Sequence, residues 1–241
     1  MKGLILAGGK GTRLLPATRI INKHMVPILN TPMITYPLET LKQLGIKDIM
    51  IVSGGEHIGG IAEFLGDGSD YGVSLTYRVQ KEAGGIAQAL GLAKDFVGKD
   101  GVTVILGDNV FDNTQISWVL RNGDFQSDRA YIFLKAVKDP QRFGVPVFKA
   151  GDLIAKIEEK PVNPKSSYAV TGLYYYPSEV FDVVPTLTPS GRGELEITSV
   201  NNWFIKQEKM KYIELDGFWS DCGTPQSLYE TIEWVYKKTL K

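Results

Sequence analysis

The sequence predicts an α/β protein in which a mostly parallel central sheet carries helices on both faces. Short apolar runs typical of buried strands occur at Gly3–Ala7, Asp48–Val52 and Val102–Leu106, and each run ends in a turn that contains glycine or aspartate. Helical patterns lie between these runs, and strands that alternate with helices build a parallel sheet. A chain of 241 residues is long enough to bury the core of such a sheet.

The helices between these strands have clear boundaries in the sequence. Thr31-Pro32 is a favourable cap and first position for a helix that runs through Leu44, and Gly45 ends this helix. Further elements of the same pattern are predicted as helices at Ile58–Leu65 and Gly85–Phe96 and as a strand at Ser74–Val79. Open α/β sheets bind ligands at the carboxyl ends of their strands, so the turns after the strands are the candidate binding loops.

The pattern changes in the second half of the chain. Closely spaced strands are predicted at Ala130–Val137, Val145–Lys149, Leu153–Glu159 and Tyr168–Tyr176, followed by helices at Leu195–Gln207 and Pro225–Lys238. These strands predict a smaller antiparallel or mixed part. Pro146 restricts its strand to an edge or a bend, because proline has no backbone N–H to donate. We predict a single domain over residues 1–241, divided into parts 1–130 and 131–241.

The composition is that of an ordinary globular protein, with 43% hydrophobic and 22% charged residues. Lys plus Arg and Asp plus Glu both number 27, so a net charge of zero gives no bulk attraction to nucleic acid or to a membrane surface. The single cysteine, Cys222, cannot form an internal disulfide bond. The start MKGLILAGG is too short for a signal peptide, and no run approaches the roughly 18 apolar residues of a membrane span. We expect a cytoplasmic protein.

The first strand ends in the glycine-rich turn Gly8-Gly9-Lys10-Gly11-Thr12-Arg13. A dinucleotide-binding frame that starts at Gly9 would need glycine where Leu14 stands, and a Walker motif would need Ser or Thr where Gly11 stands. The remaining interpretations are a tight surface turn or a turn whose backbone N–H groups bind phosphate. Arg13 and Lys23 are cations suited to phosphate oxygens.

An acidic residue follows the buried strand that ends at Leu106. Asp108 and Asn109 are common turn residues, so this stretch taken alone favours a structural turn. A carboxylate at the tip of a central strand is also suited to Mg²⁺, which binds one or two carboxylates together with substrate phosphates. Both interpretations of Asp108 are open from its own sequence neighbourhood.

The wider pattern is more specific than any of its parts. Leu-Ala-Gly-Gly-x-Gly-Thr-Arg-Leu over residues 6–14, with Pro16, Asn22-Lys23 and Pro27 after it, resembles the signature of sugar nucleotidyltransferases that act on hexose 1-phosphates. The resemblance extends from Lys2 to about Ser227 and is closest to the short form of the glucose-1-phosphate thymidylyltransferases. It implies a Rossmann-like sheet, the nucleotide-diphospho-sugar transferase fold. Residues 1–130 would then bind the nucleotide, and residues 131–241 would bind the sugar phosphate and supply a second metal ligand.

The resemblance also implies the residues of the nucleotide site. The glycine turn and the two cations would bind dTTP, and a loop containing glutamine would read the pyrimidine base. The residues assigned to the nucleotide are Leu6, Ala7, Gly8, Gly9, Gly11, Thr12, Arg13, Lys23, Gln80, Gly85, Gln88 and Asp108. Asp108 and Asp221 stand where the family has its metal ligands, and the implied cofactor is Mg²⁺.

The second substrate implied by the resemblance is glucose 1-phosphate. The residues assigned to it are Gly144, Glu159, Lys160, Val170, Tyr174, Arg192 and Trp219. Lys160 and Arg192 would bind its phosphate, because a dianionic phosphate requires paired cations. Arg13, Lys23 and Lys160 are the predicted catalytic residues, which would stabilise charge in a transfer of the nucleotidyl group to the sugar phosphate with release of pyrophosphate. The resemblance further implies a homo-oligomer, dimer or tetramer.

Some positions depart from the family pattern, and other functions are open. His24 and Gly84 stand where many members have Gln and Asp, and Cys222 replaces a different residue and is expected to be a small packing residue. Uridylyl transfer from UTP is the nearest alternative, because thymine and uracil differ by one methyl group. A non-catalytic sensor of sugar nucleotides is an alternative from another class. A nicotinamide dehydrogenase does not fit, because the glycine frame of its cofactor site is missing.

Overall fold

The computed structural model describes residues 1–112, 114, 116, 126–151 and 153–240 of the chain. The described strands are β1 Lys2–Leu6, β2 Pro27–Ile28, β3 Thr31–Pro32, β4 Asp48–Gly54, β5 Ser74–Gln80, β6 Val102–Leu106, β7 Val110–Phe111, β8 Ala130–Ala136, β9 Gly144–Lys149, β10 Leu153–Glu159, β11 Tyr168–Tyr176, β12 Met210–Glu214 and β13 Trp219–Ser220. The described α-helices are α1 Thr35–Gln43, α2 Ile58–Leu65, α3 Ile86–Gly91, α4 Lys94–Val97, α5 Val180–Val183, α6 Ile197–Lys206 and α7 Pro225–Thr239. None of these helices combines the length and the apolar character that crossing a membrane requires.

Seven strands form the central sheet, in the order β12-β8-β11-β6-β1-β4-β5. The pairs β1–β4, β4–β5 and β12–β8 are parallel, and the pair β11–β8 is antiparallel. The predicted α/β class with a mostly parallel sheet is therefore confirmed. The antiparallel strands expected in the second half belong in part to this central sheet, since β8 and β11 are members of it. Three small antiparallel pairs, β9–β10, β7–β13 and β2–β3, complete the described strands.

The described residues form two compact units. The first unit comprises Met1, Gly84–Val104 and Gly123–Asp216. The second unit comprises Lys2–Ala83, Ile105–Asn122 and Gly217–Lys241. The chain thus returns to the second unit after Asp216, whereas the sequence predicts a division into residues 1–130 and 131–241.

The core of the second unit lies along β1 and β4. Leu4 and Ile5 on β1 and Ile49 and Ile51 on β4 are fully buried. Gly3 has no room for a side chain, because an added Cβ would lie 3.0 Å from Ile46, Ile49 and Leu41. The sequences of these strands are continuous apolar runs, because side chains on both faces of a buried parallel sheet are shielded from water.

The core of the first unit is built on β8 and β11. Phe133 and Tyr176 are almost fully buried, and the Tyr176 ring packs against Phe204 of α6 with centroids 5.7 Å apart. Tyr176 keeps its hydroxyl in this core because it donates a 2.6 Å hydrogen bond to Asn201. Helix α6 is therefore fixed to the sheet by both apolar and polar contacts.

Two predicted helix boundaries are wrong. The helix expected from Thr31-Pro32 begins at Thr35, because residues 31–32 pair with β2 and Leu29 makes the tight connection with a φ of +56°. The helix expected over Gly85–Phe96 is two helices, α3 and α4. Leu92 N and Ala93 N donate to the carbonyls of Ala89 and Leu90, three residues back, which ends the α-helical repeat there.

The prediction for Pro146 is confirmed. Strand β9 pairs with β10 alone in a two-stranded sheet, with Pro146 opposite Ile157. The partner strand shifts its register between Ile154 and Lys156, as expected for an irregular pair. This hairpin ends at Glu159, which the sequence assigns to the sugar phosphate.

Candidate functional site

The glycine turn leaves β1 in a conformation that only glycine adopts easily. Gly9 has a φ of +98° and Gly11 a φ of +61°, and both values lie in the left-handed region. The strand end before the turn is held by backbone hydrogen bonds from Ala7 N to Val52 O at 2.8 Å and from Gly107 N to Leu6 O at 2.9 Å. The start of the turn is therefore fixed to the two neighbouring strand ends.

Neighbouring side chains also leave no space at this turn. A Cβ on Gly11 would lie 2.9 Å from Lys23 Cβ and 2.9 Å from Thr18 Cγ2. Thr18 donates a 2.8 Å hydrogen bond to the Gly11 carbonyl and so closes the turn from this side. A Cβ on Gly8 would lie 3.3 Å from the Gln80 Oε1 atom. The structure thus brings the glycine turn, Lys23 and Gln80 together, as the sequence predicts.

Lys23 forms an ion pair with Asp108. Its Nζ atom lies 2.5 Å from Asp108 Oδ2, and each of the two side chains is only 14% exposed. Burial alone would raise the pKa of Asp108, but the Lys23 ammonium and hydrogen bonds from Lys23 and Asn109 outweigh burial and lower this pKa. Asp108 is therefore a carboxylate at neutral pH, ready to bind a cation.

His24, next to Lys23, is buried and neutral. Burial is the largest cause that lowers its pKa from 6.5 to about 3, and the Lys23 charge adds to it. Asn22 Oδ1 lies 2.8 Å from both the backbone N and the ring Nδ1 of His24. Because an amide oxygen only accepts, the ring proton resides on Nδ1. The His24 ring faces Gly107, where an added Cβ would lie 2.8 Å from its Cδ2 atom.

A short antiparallel pair brings Asp221 to the same part of the second unit. In the β13–β7 register Trp219 is opposite Phe111, and Ser220 is opposite Val110. Continued by one residue, this register puts Asp221 opposite Asn109, the neighbour of Asp108. Trp219 Nε1 donates a 2.7 Å hydrogen bond to Asn109 Oδ1, and Asn109 donates a 2.8 Å hydrogen bond to Asp108.

The thiol of Cys222, which follows Asp221, is affected by the charges of Asp108 and Asp221. Its thiol pKa is raised to about 12, mainly by burial and in addition by the charges of Asp108 and Asp221. Cys222 has a φ of +39°, a conformation that a non-glycine residue adopts only when its surroundings impose it. A Cβ on Gly223 would lie 2.9 Å from Arg13 Nη2 and 3.0 Å from Asp221 Oδ2, so both side chains border Gly223.

The described residues fit a divalent cation that is shared with a substrate. Among them, no group of three or more His, Cys, Asp and Glu side chains forms a complete metal site. The β13–β7 register, continued by one residue, nevertheless puts the carboxylate residue Asp221 opposite Asn109, the neighbour of Asp108. Mg²⁺ is bound in this way in proteins, by one or two carboxylates while phosphates and waters complete its shell.

A second group of predicted residues lies in the first unit, around Glu159. Thr198 donates a very short hydrogen bond to Glu159 Oε2. A Cβ on Gly144 would lie 3.3 Å from Thr198 Oγ1 and 3.7 Å from Glu159 Oε2, so glycine leaves this carboxylate accessible from one side. Lys160 has a φ of +46° and donates its backbone N–H to Phe143 O at 2.9 Å. This strained turn holds the Lys160 ammonium 3.6 Å from Glu159.

Arg192 joins this group through three carboxylates. Its Nη2 atom lies 3.3 Å from Glu159, 2.7 Å from Glu196 and 4.0 Å from Glu194. The hydrogen bond to Glu196 is the main cause of the raised pKa of Arg192, and the three negative charges contribute further. The structure therefore brings Glu159, Lys160 and Arg192 together, as the sequence predicts.

The loop before α3 is shaped by the segment around Leu195. A Cβ on Gly85, whose φ is +99°, would lie 2.5 Å from the Leu195 carbonyl oxygen. Leu195 N donates to Gly84 O at 2.8 Å, and Ala87 N donates to Leu195 O at 3.0 Å. Gln88 accepts a 3.2 Å hydrogen bond from Gly84 N, so its amide folds back over the loop. Gly85 and Gln88 therefore lie at one rigid turn.

The predicted residues divide between the two units. The second unit contains Leu6, Ala7, Gly8, Gly9, Gly11, Thr12, Arg13, Lys23, Gln80, Asp108, Trp219 and Asp221, and the first unit contains Gly85, Gln88, Gly144, Glu159, Lys160, Val170, Tyr174 and Arg192. Trp219, assigned to the sugar phosphate, lies beside Asn109 in the unit that holds the metal acids. The side chains of Val170 and Tyr174 are 7% and 4% exposed, so a ligand would meet mainly their backbone. The ligand roles of all these residues stay predictions.

Sequence reasoning missed three residues that position the predicted ones. Asn109 joins Trp219 to Asp108, Thr198 binds Glu159, and Glu196 binds Arg192. No sequence motif marks Asn109 or Thr198 as a positioning residue, because Trp219 and Glu159, the residues they contact, are distant in the chain. Glu196 lies four residues after Arg192, and this spacing could have predicted an ion pair between the two side chains.

Comparisons with known proteins point to one family. A family model described as nucleotidyl transferase matches residues 2–238. A glucose-1-phosphate thymidylyltransferase from Neisseria meningitidis serogroup A is 43% identical over 237 residues, which are 98% of this chain and 82% of that protein. One from Mycobacterium tuberculosis is 40% identical over 238 residues, with 98% of this chain and 82% of that protein covered.

Solved structures agree with this result. The crystal structure of a candidate glucose-1-phosphate thymidylyltransferase from Bacillus anthracis, in complex with a sucrose, matches with a TM-score of 0.89 and 50% identity over 97% of this chain and 94% of that one. A UDP-glucose pyrophosphorylase complexed with UDP-glucose matches with a TM-score of 0.85 over 98% of each chain. Its identity of 23% supports the fold alone.

Proposed function

The chain belongs to the nucleotidyl transferase family, and from this premise we propose that it is a glucose-1-phosphate thymidylyltransferase, which joins dTTP and α-D-glucose 1-phosphate to give dTDP-glucose and pyrophosphate. The observation that carries the proposal is the ion pair of Lys23 and Asp108 beside the glycine turn. This pair supplies a phosphate-binding cation and a metal-binding anion at one point.

The proposed reaction is an in-line substitution at the α-phosphorus of dTTP. An oxygen of the sugar phosphate forms the new P–O bond, and the bond to the leaving pyrophosphate breaks. A sugar phosphate is already an anionic nucleophile, so the reaction needs no general base. Positioning of the substrates and stabilisation of charge are then the main contributions of the protein.

The second unit carries most of the residues proposed for the nucleotide, whereas Gly85 and Gln88 belong to the first unit. Backbone N–H groups of the turn at Gly8–Gly11 would bind phosphate, and Arg13 and Lys23 would add the charges that stabilise the α-phosphoryl group and the pyrophosphate. Gln80 Oε1 lies near Gly8, close enough to the turn to address the base of the same nucleotide. Removal of one such cation is expected to lower the rate about 10²–10³-fold.

We assign Asp108 and Asp221 to the divalent cation that nucleotidyltransferases generally use, with Mg²⁺ as the specific ion. When bound, Mg²⁺ would neutralise negative charge at the reacting phosphates. The chain's own contribution is to keep Asp108 ionised through Lys23, and to hold Asp221 through the β13–β7 register. The proposal for Mg²⁺ therefore depends on the chemistry of the two carboxylates.

The first unit carries the residues proposed for glucose 1-phosphate except Trp219, which belongs to the second unit. Glu159, held by Thr198, would accept hydrogen bonds from sugar hydroxyl groups, and Gly144 would leave room for the ring. Lys160 and Arg192 would bind the phosphate. In the structure both cations contact Glu159, so phosphate binding would replace these contacts by stronger charge-assisted ones.

Membership of this family implies that the partners of the chain are small-molecule substrates. We propose in addition that the chain forms a homo-oligomer, dimer or tetramer, and acts in the cytoplasm. Light scattering of the purified protein would measure the first, and fractionation of cells the second. A monodisperse monomer at micromolar concentration would contradict the proposed oligomer.

The test of function is pyrophosphate release with glucose 1-phosphate and Mg²⁺, with dTTP, UTP, CTP, ATP and GTP offered separately. We expect the highest kcat/KM with dTTP. Preference for UTP would keep the residue roles and change the product to UDP-glucose, because an apolar pocket discriminates one methyl group only by about 10–200-fold. If the protein releases pyrophosphate from none of the five nucleotides with any sugar 1-phosphate of a panel, it is not a glucose-1-phosphate thymidylyltransferase. Tight binding of dTDP-glucose without turnover would then indicate a sensor.

A further inference from the structure

Glu196 is the most deeply buried carboxylate of the cluster around Arg192. Its side chain is 8% exposed, compared with 26% for Glu159 and 45% for Glu194. Removing a carboxylate from water is costly unless donors replace the lost hydration. Glu196 Oε1 has such donors, since it accepts hydrogen bonds from Ser190 Oγ at 2.8 Å, Arg192 Nη2 at 2.7 Å and Arg192 Nε at 3.1 Å.

The loop around Arg192 is built to keep this contact. Ser190 donates its backbone N–H to Glu194 O at 2.9 Å, and Gly193 N donates to Ser190 O at 2.8 Å. Ser190 Oγ also accepts a 3.2 Å hydrogen bond from Arg192 N while it donates to Glu196. Both the backbone and the side chain of Arg192 are therefore held by the same small turn.

The contacts of Arg192 with Glu159 and Glu196 differ in kind. Two nitrogen atoms of one edge of the guanidinium, Nε and Nη2, bind Glu196, whereas Glu159 receives a single longer hydrogen bond of 3.3 Å. The Nη1 atom makes no hydrogen bond to any residue that the structure describes. Glu196 thus fixes one edge of the guanidinium, and the weaker contact that Nη2 also makes with Glu159 is the exchangeable one in this 44% exposed side chain.

We propose that Glu196 is the positioning residue of Arg192, which holds the Nε–Nη2 edge in place so that the remaining donors bind the phosphate of the sugar substrate. On binding, the single contact with Glu159 is exchanged for phosphate oxygens, and the contact with Glu196 is kept. This inference rests on the proposed function, because it assigns the phosphate of glucose 1-phosphate to Arg192. It gives Glu196 no contact with substrate, so its effect is transmitted through Arg192 alone.

The test compares Glu196→Gln with Glu194→Gln in steady-state kinetics. Glutamine keeps the shape of Glu196 and an accepting oxygen but removes the charge that holds the guanidinium. We expect Glu196→Gln to raise KM for glucose 1-phosphate about tenfold, with KM for dTTP changed less than about twofold. Glu194→Gln is the matched control and should change neither constant by more than about twofold, since Glu194 is half-exposed and 4.0 Å from the guanidinium.

A double-mutant cycle separates positioning from a general structural effect. Arg192→Ala should raise KM for glucose 1-phosphate, and adding Glu196→Gln to Arg192→Ala should change this constant by less than about twofold more. If Glu196→Gln alone leaves KM for glucose 1-phosphate unchanged, or if its effect is the same in the Arg192→Ala background, Glu196 does not act through Arg192. Thermal unfolding of each variant accompanies the kinetics.

A second variant keeps the inference testable if Glu196→Gln does not fold. Ser190→Ala removes one donor to the same carboxylate and should raise KM for glucose 1-phosphate about two- to threefold, an effect that Arg192→Ala should again abolish. An unchanged KM in Ser190→Ala would then overturn the proposal. If the wild-type protein turns over normally and the variants keep the wild-type KM for glucose 1-phosphate, only the role of Glu196 is rejected. If the wild-type protein shows no turnover, both the proposed function and this inference are rejected.

Discussion

The ammonium of Lys23 lies 2.5 Å from a carboxylate oxygen of Asp108, so two predicted site residues of opposite charge neutralise each other. Each would be costly to bury alone at 14% exposure, and their pairing offsets this cost. A bound triphosphate with its cation offers both groups a new partner of the right sign. The arrangement therefore keeps the two charges preorganised without leaving either uncompensated.

The first prediction concerns Asp108. Asp108→Asn should lower kcat/KM for dTTP at least 10²–10³-fold, because the amide is a much weaker metal ligand and no longer pairs with Lys23. Chelation of divalent cations should abolish the wild-type activity, and added Mg²⁺ should restore it. Asp112→Asn is a control, since Asp112 pairs with Lys238 and has no predicted ligand role. Unaltered activity in Asp108→Asn would remove Asp108 from the metal site.

The second prediction compares two glycines with positive φ. Gly11→Ala should lose both stability and activity, because its Cβ would lie 2.9 Å from Lys23 Cβ and Thr18 Cγ2. Gly45→Ala meets nothing within 4 Å and should cost only the backbone strain of about 1–2 kcal/mol. Thermal unfolding and kcat/KM for dTTP measure the two effects. Equal activities of the two variants would contradict the assignment of the glycine turn to the nucleotide.

The third prediction is a pH dependence that depends on His24. Its folded pKa of about 3 lies below the ordinary value of 6.5, so between these values the unfolded state binds more protons than the folded state. The contribution of neutral His24 to the free energy of unfolding is therefore fully present above about pH 6.5. It is lost as the pH falls below this value, by up to about 1.4 kcal/mol per pH unit.

Urea unfolding of the wild type and of His24→Gln at several pH values tests this prediction. The difference between their free energies of unfolding should change between pH 6.5 and about 4, with the wild type losing more stability. Asp and Glu residues that do not interact with His24 titrate alike in both proteins and cancel in the difference. A difference that is constant with pH would show that His24 binds its proton equally well in the folded and unfolded states, and would contradict the lowered pKa.

The fourth prediction concerns the hydroxyl group of Thr198. Thr198→Val keeps the shape but removes the donor to Glu159, and should raise KM for glucose 1-phosphate about tenfold with little change in KM for dTTP. Thr198→Ser restores the hydroxyl and should recover most of the loss. If serine and valine behave alike, the hydrogen bond to Glu159 has no part in binding the sugar.

Long apolar runs are the clearest strand signal in this sequence. β1, β4 and β6 were found because burial on both faces leaves a continuous signal in the sequence. The two-residue pairs β2–β3 and β7–β13 were not found, because strands of this length have no periodicity and depend on partners distant in the chain. The enzyme family was predicted from the glycine turn and the motifs after it, and the comparisons confirm it.

The candidate site shows the same limit. Charged residues such as Asp108 and Arg192 could be selected from motifs, because their chemistry is specific and their position follows strands. The partners that hold them could not, since Glu196 and Thr198 are ordinary residues at the start of a helix until the fold brings them to Arg192 and Glu159. The roles of all site residues are still predictions.

The buried, weakly acidic thiol of Cys222 makes this protein convenient for spectroscopic labelling. With a pKa of about 12, only about one molecule in 10⁴ carries the thiolate at pH 8, and the side chain is fully buried. Maleimide reagents would therefore leave the native cysteine intact. Pairs of introduced surface cysteines, one in each compact unit, could carry fluorophores or spin labels in the otherwise natural sequence and report how the distance between them changes when each substrate is added.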